Sequence, residues 1–144
     1  MTGSQSIERI IAALGRWEDV ECRQHRYRST DVFLGLAEVA RVHANGVLDL
    51  RYNQPLAQAL IAEGKATPHE MYPDSGWVNF HVHCERHVPQ ALWLLEVAYC
   101  YHRIRWLNRR APLSIEQEGA LRGQLQTLNL SARVAPLFED VLRA

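Results

Sequence analysis

No surplus of either charge exists in this sequence: sixteen Lys and Arg residues balance sixteen Asp and Glu. That balance excludes the broad positive field of an unselective nucleic-acid binder or a peripheral membrane protein. Cysteine is scarce and odd in number. Cys22, Cys84 and Cys100 form no C-x-x-C pair, so they indicate neither a disulfide framework nor a zinc ribbon, and a reducing, cytoplasmic setting fits them. No apolar run reaches the roughly 18 residues of a membrane span. The first residues mix charge with helical apolar spacing and lack the unbroken apolar region of a secretory signal. Also missing are G-x-S-x-G, G-x-G-x-x-G and G-x-x-x-x-G-K-[ST], so a hydrolase elbow, a dinucleotide fold and a P-loop have no local support. No cofactor is implied, and whether the chain is an enzyme stays open. Lysine is nearly absent, Lys65 standing alone among the basic residues beside the arginines. Arginine is the better fork for phosphate and carboxylate, although base composition of the genome produces the same bias.

What is present suffices for one core: 47% of the 144 residues are hydrophobic, and a single domain over residues 1–144 is expected. Ile7, Ile10, Ile11 and Leu14 recur at helical spacing, with Ser4 or Ser6 as N-cap and Gly15 past the end. Short β-branched and aromatic runs then predict strands at 20–24, 31–36, 39–44 and 47–51. At Ala44-Asn45-Gly46 two loop lengths are possible, and they put side chains on opposite faces. The three-residue loop, with Gly46 left-handed, pairs His43 with Val47 and Arg41 with Asp49. It gathers Ala40, Val42, Leu48 and Leu50 on one face and Arg41, His43, Asp49 and Arg51 on the other, and is preferred for that separation.

A second helix is predicted at 56–63, with Pro55 in its first turn, Asn53 or Gln54 as cap and Gly64 as stop. Turn residues at Thr67-Pro68 and Pro73-Asp74-Ser75-Gly76 flank a short edge strand at 69–72. Residues 77–83 alternate: Val78, Phe80 and Val82 face one way, Trp77, Asn79, His81 and His83 the other. Pro89 opens the longest helix, 90–108, which is apolar almost all round early on and therefore needs cover on more than one side. After Ala111-Pro112, a capping box at Ser114 and Gln117 begins a helical tail carrying Leu121, Leu125, Leu128, then Val134, Leu137, Phe138 and Val141. The expected fold is α+β, an antiparallel sheet of about five strands packed on helices.

Three sets of residues could carry chemistry. His81-x-His83 places two imidazoles on one strand face, with His87 following, and His43 or Asp49 could complete a metal site if the strands share that face. The solvated face of an antiparallel sheet carries such a mixed polar set without any ligand. Arg41, His43, Asp49 and Arg51 form an anion-recognition surface or a plain Arg41 to Asp49 ion pair; Trp77 and Asn79 add a platform beside it, unless Trp77 is core under the tail. Arg103, Arg105, Arg109 and Arg110, interleaved with Trp106, read as nucleic-acid contacts or as cations complementing the helix dipole. Cys84 continues the Val78, Phe80, Val82 alternation and reads as a small buried hydrophobe.

The ordered set Val20-Glu21-Cys22-Arg23, Phe33-Leu34-Gly35, His43-Ala44-Asn45-Gly46-Val47-Leu48-Asp49-Leu50, Pro55-Leu56, Ala62-Glu63-Gly64, Pro73-Asp74-Ser75-Gly76-Trp77-Val78-Asn79-Phe80 and Ala91-Leu92-Trp93-Leu94-Leu95 resembles the luciferase-domain (luciferase family) proteins over residues 17–107. Its most specific parts are the His43-x-x-Gly46-x-x-Asp49 pattern and the Asp-Ser-Gly-Trp-Val turn with Gly76 and Trp77. More distantly the order of elements is similar to the MmcQ/YjbR-like fold, for which DNA binding has been suggested, and that likeness implies a curved sheet backed by helices. The family label does not imply light emission. His81, His83, His87 and the tail after Pro112 depart from the family pattern. The expectation is a small cytosolic module that binds a small anionic molecule or a protein partner on the polar sheet face, with Arg41, His43, Asp49, Arg51, Trp77, Asn79, His81 and His83 as its residues. A tail at 112–144 packs on the core. The alternatives are a metal-dependent protein using His81, His83, His43 and Asp49, and a nucleic-acid binder using Arg103 to Arg110.

Overall fold

A computed structural model describes residues 3–25 and 28–144. Its elements, in chain order, are α1 (Gly3–Leu14), β1 (Val20–His25), β2 (Ser29–Leu34), β3 (Ala37–His43), β4 (Val47–Arg51), α2 (Gln54–Ala62), β5 (Thr67–Pro68), β6 (Trp77–His81), a 3-10 turn (Glu85–His87), α3 (Val88–Arg110), α4 (Ile115–Thr127) and α5 (Ala135–Arg143). The strands form one antiparallel sheet in the order β1-β2-β3-β4-β6-β5. Among the described residues no helix is long and apolar enough to cross a membrane.

Local chemistry explains most of these boundaries. In the β3–β4 hairpin Arg41 stands opposite Asp49 and Val42 opposite Leu48, the register of the three-residue loop. Gly46 has φ +98°, and its N–H donates to the His43 carbonyl at 3.0 Å. Ala40, Val42, Leu48 and Leu50 are buried as a set. Asn53 caps α2 by accepting from the Leu56 N–H at 2.9 Å, and Gly64, at φ +72°, takes the chain off its end. The capping box of α4 forms in both directions between Ser114 and Gln117.

Several expected boundaries move. Helix α1 begins at Gly3, so Ser4 and Ser6 lie inside it and neither is its cap; Ser6 is buried on the same side as Ile7, Ile10 and Leu14. The strands expected at 31–36 and 39–44 are 29–34 and 37–43, because Gly35, at φ +63°, turns the chain and leaves Leu36 97% exposed. The edge strand falls on Thr67 and Pro68 instead of 69–72. Those two residues pair with Asn79 and Val78, and a proline without an N–H suits an edge. Strand β6 stops at His81, short of the expected 83, although Val82 stays buried with its N–H on the Gly46 carbonyl at 2.8 Å.

Helix α3 is the spine. It is longer than the predicted 90–108, since Val88, which is buried, and Pro89, which is exposed, already belong to its first turn and it runs on to Arg110. On one side it packs on β2, β3 and β4, and α1, α4 and α5 also rest against it. The tail therefore packs on α3, and it is the segment after β5 that lies against the polar sheet face. Trp93 Nε1 donates to the Leu128 carbonyl at 2.9 Å, tying the tail to α3, and Arg122 of α4 pairs with Glu139 of α5 within the tail.

Candidate functional site

Register alone aligns a row of side chains across the sheet: Arg23 opposite Asp31, Asp31 opposite Arg41, Arg41 opposite Asp49, Asp49 opposite Asn79, and Asn79 opposite Thr67. The row lies on the face turned away from the apolar set, as strand alternation requires. Alternating charge in register does not yield alternating ion pairs. Arg41 bonds Glu38 on its own strand, at 3.1 and 2.8 Å, and not Asp49, which is occupied by other partners. That bond holds the guanidinium more firmly protonated than usual, and the group lies 5.3 Å from the centre of the Trp77 ring. Trp77 is accordingly a polar-face residue, half-buried, and not core beneath the tail.

Asp49 is the centre of the face. Only 7% exposed, it meets His43 Nε2 at 2.8 Å through Oδ2 and accepts from Asn79 Nδ2 at 2.6 Å through Oδ1. His69 Nε2 stands 3.6 Å from the same Oδ1. Asn79 in turn is 4% exposed and fully engaged: Nδ2 also donates to the Leu48 carbonyl at 3.2 Å, and Oδ1 accepts from the Glu70 N–H at 3.2 Å. This amide staples the segment after β5 to the sheet and so brings His69 over Asp49. The His69 ring centre lies 5.2 Å from that of Tyr72 and 6.3 Å from that of Trp77. A nearly buried carboxylate is costly unless it is hydrogen-bonded, and here His43 and Asn79 bond it while His69 stands just beyond bonding distance. With Nε2 directed at Asp49, His43 keeps Nδ1 as an acceptor when neutral or a donor when protonated. A shallow hollow of about 330 Å3 lined by Arg28, His43, Ala44 and Asn45 opens beside it.

Two glycines make this geometry possible, and both belong to the sequence pattern. A Cβ on Gly46 would stand 2.3 Å from the Val82 carbonyl oxygen, and one on Gly76 would stand 2.0 Å from that of Tyr52. Each glycine bonds the opposing strand: Val82 donates to Gly46 and Tyr52 donates to Gly76, both at 2.8 Å. The ends of the β4–β6 pair are thus clamped by backbone approaches that no side chain tolerates. Between the clamps lie Asp49 and Asn79.

The remaining expected residues separate. Arg51 stands opposite Trp77 in register but lines a cavity at the end of α3. His81 pairs with Val47, two positions along β4 from Asp49, and its ring lies 6.0 Å from that of His83, nearly parallel. The His83 N–H donates to His87 Nδ1 at 3.0 Å. Among the described residues no three His, Cys, Asp or Glu side chains are grouped to hold a metal ion. The candidate metal set of His81, His83, His43 and Asp49 splits into two pairs, since the strand ends before His83. Cys84 lies outside the strand and is half-buried, 3.9 Å from His87 Nδ1, instead of continuing the core. The cation run is divided as well: Arg103 bonds Asp19 at 3.0 Å and lies 3.5 Å from Glu18, Arg110 lies over Trp106, and Arg105 and Arg109 face the same cavity as Arg51. Sequence reasoning misses His69, which reads there as part of an edge strand; its only local signal is its place directly after Thr67-Pro68.

Residues 36–98 match the Luciferase domain family model. The matched span runs from the β2–β3 turn into α3 and contains β3, β4, α2, β5 and β6, hence the whole Asp49 cluster and both clamping glycines. No curated protein and no solved structure gave a match.

Proposed function

We propose, from the match of residues 36–98 to the Luciferase domain family model and from the geometry around Asp49, a small cytosolic binding module whose polar sheet face takes a small anionic molecule. One observation carries the reading: a nearly buried carboxylate, on a face the tail does not cover, is shared by His43, His69 and Asn79. Asp49 orients His43, whose Nδ1 donates to an anion when the ring is protonated, while the Met71 N–H holds His69 through Nδ1, so groups near the ligand lose little freedom when it arrives. Arg41 supplies a guanidinium over Trp77, whose ring offers a platform for the body of the ligand. The three free thiols support a reducing compartment.

Titration of 15N-histidine-labelled protein with a panel of small carboxylates and phosphates tests this. Saturable shifts of His43 and His69 are expected, with affinity lowered about tenfold in Asp49→Asn. Unmoved histidines at about 10 mM of every compound would refute it, since affinity weaker than that is below any useful binding energy. A protein partner on the same face is the second reading. Met71 and Tyr72, 75% and 56% exposed in the segment beside His69, favour it.

A further inference from the structure

A cavity of about 400 Å3 opens where the C-terminal part of α3 passes the β2–β3 turn and the end of β4. Its walls carry three guanidiniums, Arg51 from β4 with Arg105 and Arg109 one turn apart on α3, and no carboxylate. Among the described residues none of these three is in an ion pair, whereas Arg9, Arg23, Arg41, Arg103 and Arg122 each have an acidic partner. In the sequence Arg51 belongs with the hairpin and the other two with a cationic helix end. Folding alone unites them.

The walls are built, not incidental. His102 is buried, and its Nε2–H donates to the Arg51 carbonyl at 2.9 Å, fixing the end of β4 to α3. Burial above all, reinforced by the charges of Arg51, Arg105 and Arg109, pushes His102 down to about 4. The imidazole is therefore neutral near pH 7, and the cavity's positive charge belongs to the guanidiniums. Arg105 donates to the Tyr101 hydroxyl at 2.7 Å, which holds that fork in place. Opposite, the turn at Gly35 comes so near Trp106 that a Cβ would stand 2.9 Å from Nε1, and Leu34, Leu36 and Ala37 complete an apolar wall. An adjoining hollow of about 300 Å3 shares Arg105 and Arg109 and contains Asp140; at its lining Asn108 Nδ2 is buried without a partner.

We propose that this cavity binds a small phosphomonoester, the dianion held by Arg51, Arg105 and Arg109 and the organic body laid against Trp106 and Leu36. Guanidinium forks match phosphate oxygens two at a time, and three of them suit a dianion better than a carboxylate. The volume falls in the range of small-molecule sites, about 300–1,000 Å3. Concavity, together with the engagement of Arg103 and Arg110 elsewhere, favours a small ligand over a nucleic-acid strand. The site does not depend on the Asp49 reading, because no residue of that cluster lines it.

Calorimetric titration with phenyl phosphate tests the proposal, with inorganic phosphate, benzoate and a short oligothymidylate as comparison arms. Phenyl phosphate is expected to saturate and to bind more tightly than inorganic phosphate or benzoate. Arg105→Gln and Arg109→Gln should each weaken it about tenfold or more, and the arginine-dependent phase that they remove should persist in Asp49→Asn. Both arginines are exposed, so the variants should fold, and Arg105→Lys, which keeps the charge and loses the fork, reports the same contact independently. Equal binding of benzoate, indifference to the arginine substitutions, or absence of saturation at about 10 mM would each overturn the site. Salt-steep oligonucleotide binding that phenyl phosphate does not compete for would instead assign these arginines to a nucleic-acid backbone.

Discussion

The two polar clusters of this protein are opposites in how their groups are satisfied. Around Asp49, carboxylate, amide and the His43 imidazole complete one another's hydrogen bonds, with Asp49 and Asn79 themselves buried. Around Arg105, three cations share a cavity with a neutral histidine and no acid. The first arrangement stabilises the fold by existing; the second gains only when something negative enters. Stability measurements and ligand measurements should therefore respond to different residues.

The largest effect is expected where the backbone clamps the Asp49 cluster. Gly46→Ala forces a Cβ against the Val82 carbonyl at a left-handed φ, and a loss of about 3 kcal/mol or more is expected in urea unfolding. A loss below about 1 kcal/mol would show that the strands can part there without cost.

Next in size is a pH effect at the cavity wall. Unfolded histidine takes its proton near pH 6.5, whereas folded His102 resists until about 4. Stability contributed by this group is thus intact above pH 6.5 and falls as pH drops from there toward 4, by about 3 kcal/mol in full. His102→Gln should flatten that part of the stability profile, and an unchanged slope would mean the imidazole protonates in the native state.

Asp49→Ala comes third, because it strands a buried Asn79 donor; a loss of about 1–3 kcal/mol is expected from thermal or chemical melts. The smallest effect sharpens the contrast most. Arg105→Gln with Arg109→Gln should change stability by less than about 0.5 kcal/mol, since neither charge is paired in the fold. A loss as large as that of Asp49→Ala would erase the distinction between the clusters.

Pairwise chemistry between neighbours in sequence is legible from the residues alone. The hairpin register follows from separating Val42 and Leu48 from Arg41 and Asp49, and the caps at Asn53 and Ser114 from their side chains. What depends on distant segments is not legible in that way. His69 reaches Asp49 because Asn79 ties down its loop, a bond between groups whose partnership has no local signature. The Gly35 turn is hidden by the flanking Leu34 and Leu36, which read as uninterrupted strand although one is buried and the other exposed. The strand alternation behind the His-x-His pattern stops at His81, where β6 ends, and the arginine cavity needs β4 and α3 to meet.

The brevity of β5 has a consequence for association. A sheet left open at its margin invites another chain to extend it, but here one margin offers two residues, Thr67 and Pro68, the second without an N–H to donate. The other margin, β1, carries Glu21 and Arg23 bonded to each other on its outer side. Charges on an edge strand discourage edge-to-edge pairing with another chain. Both strand borders thus carry features that oppose edge-to-edge pairing.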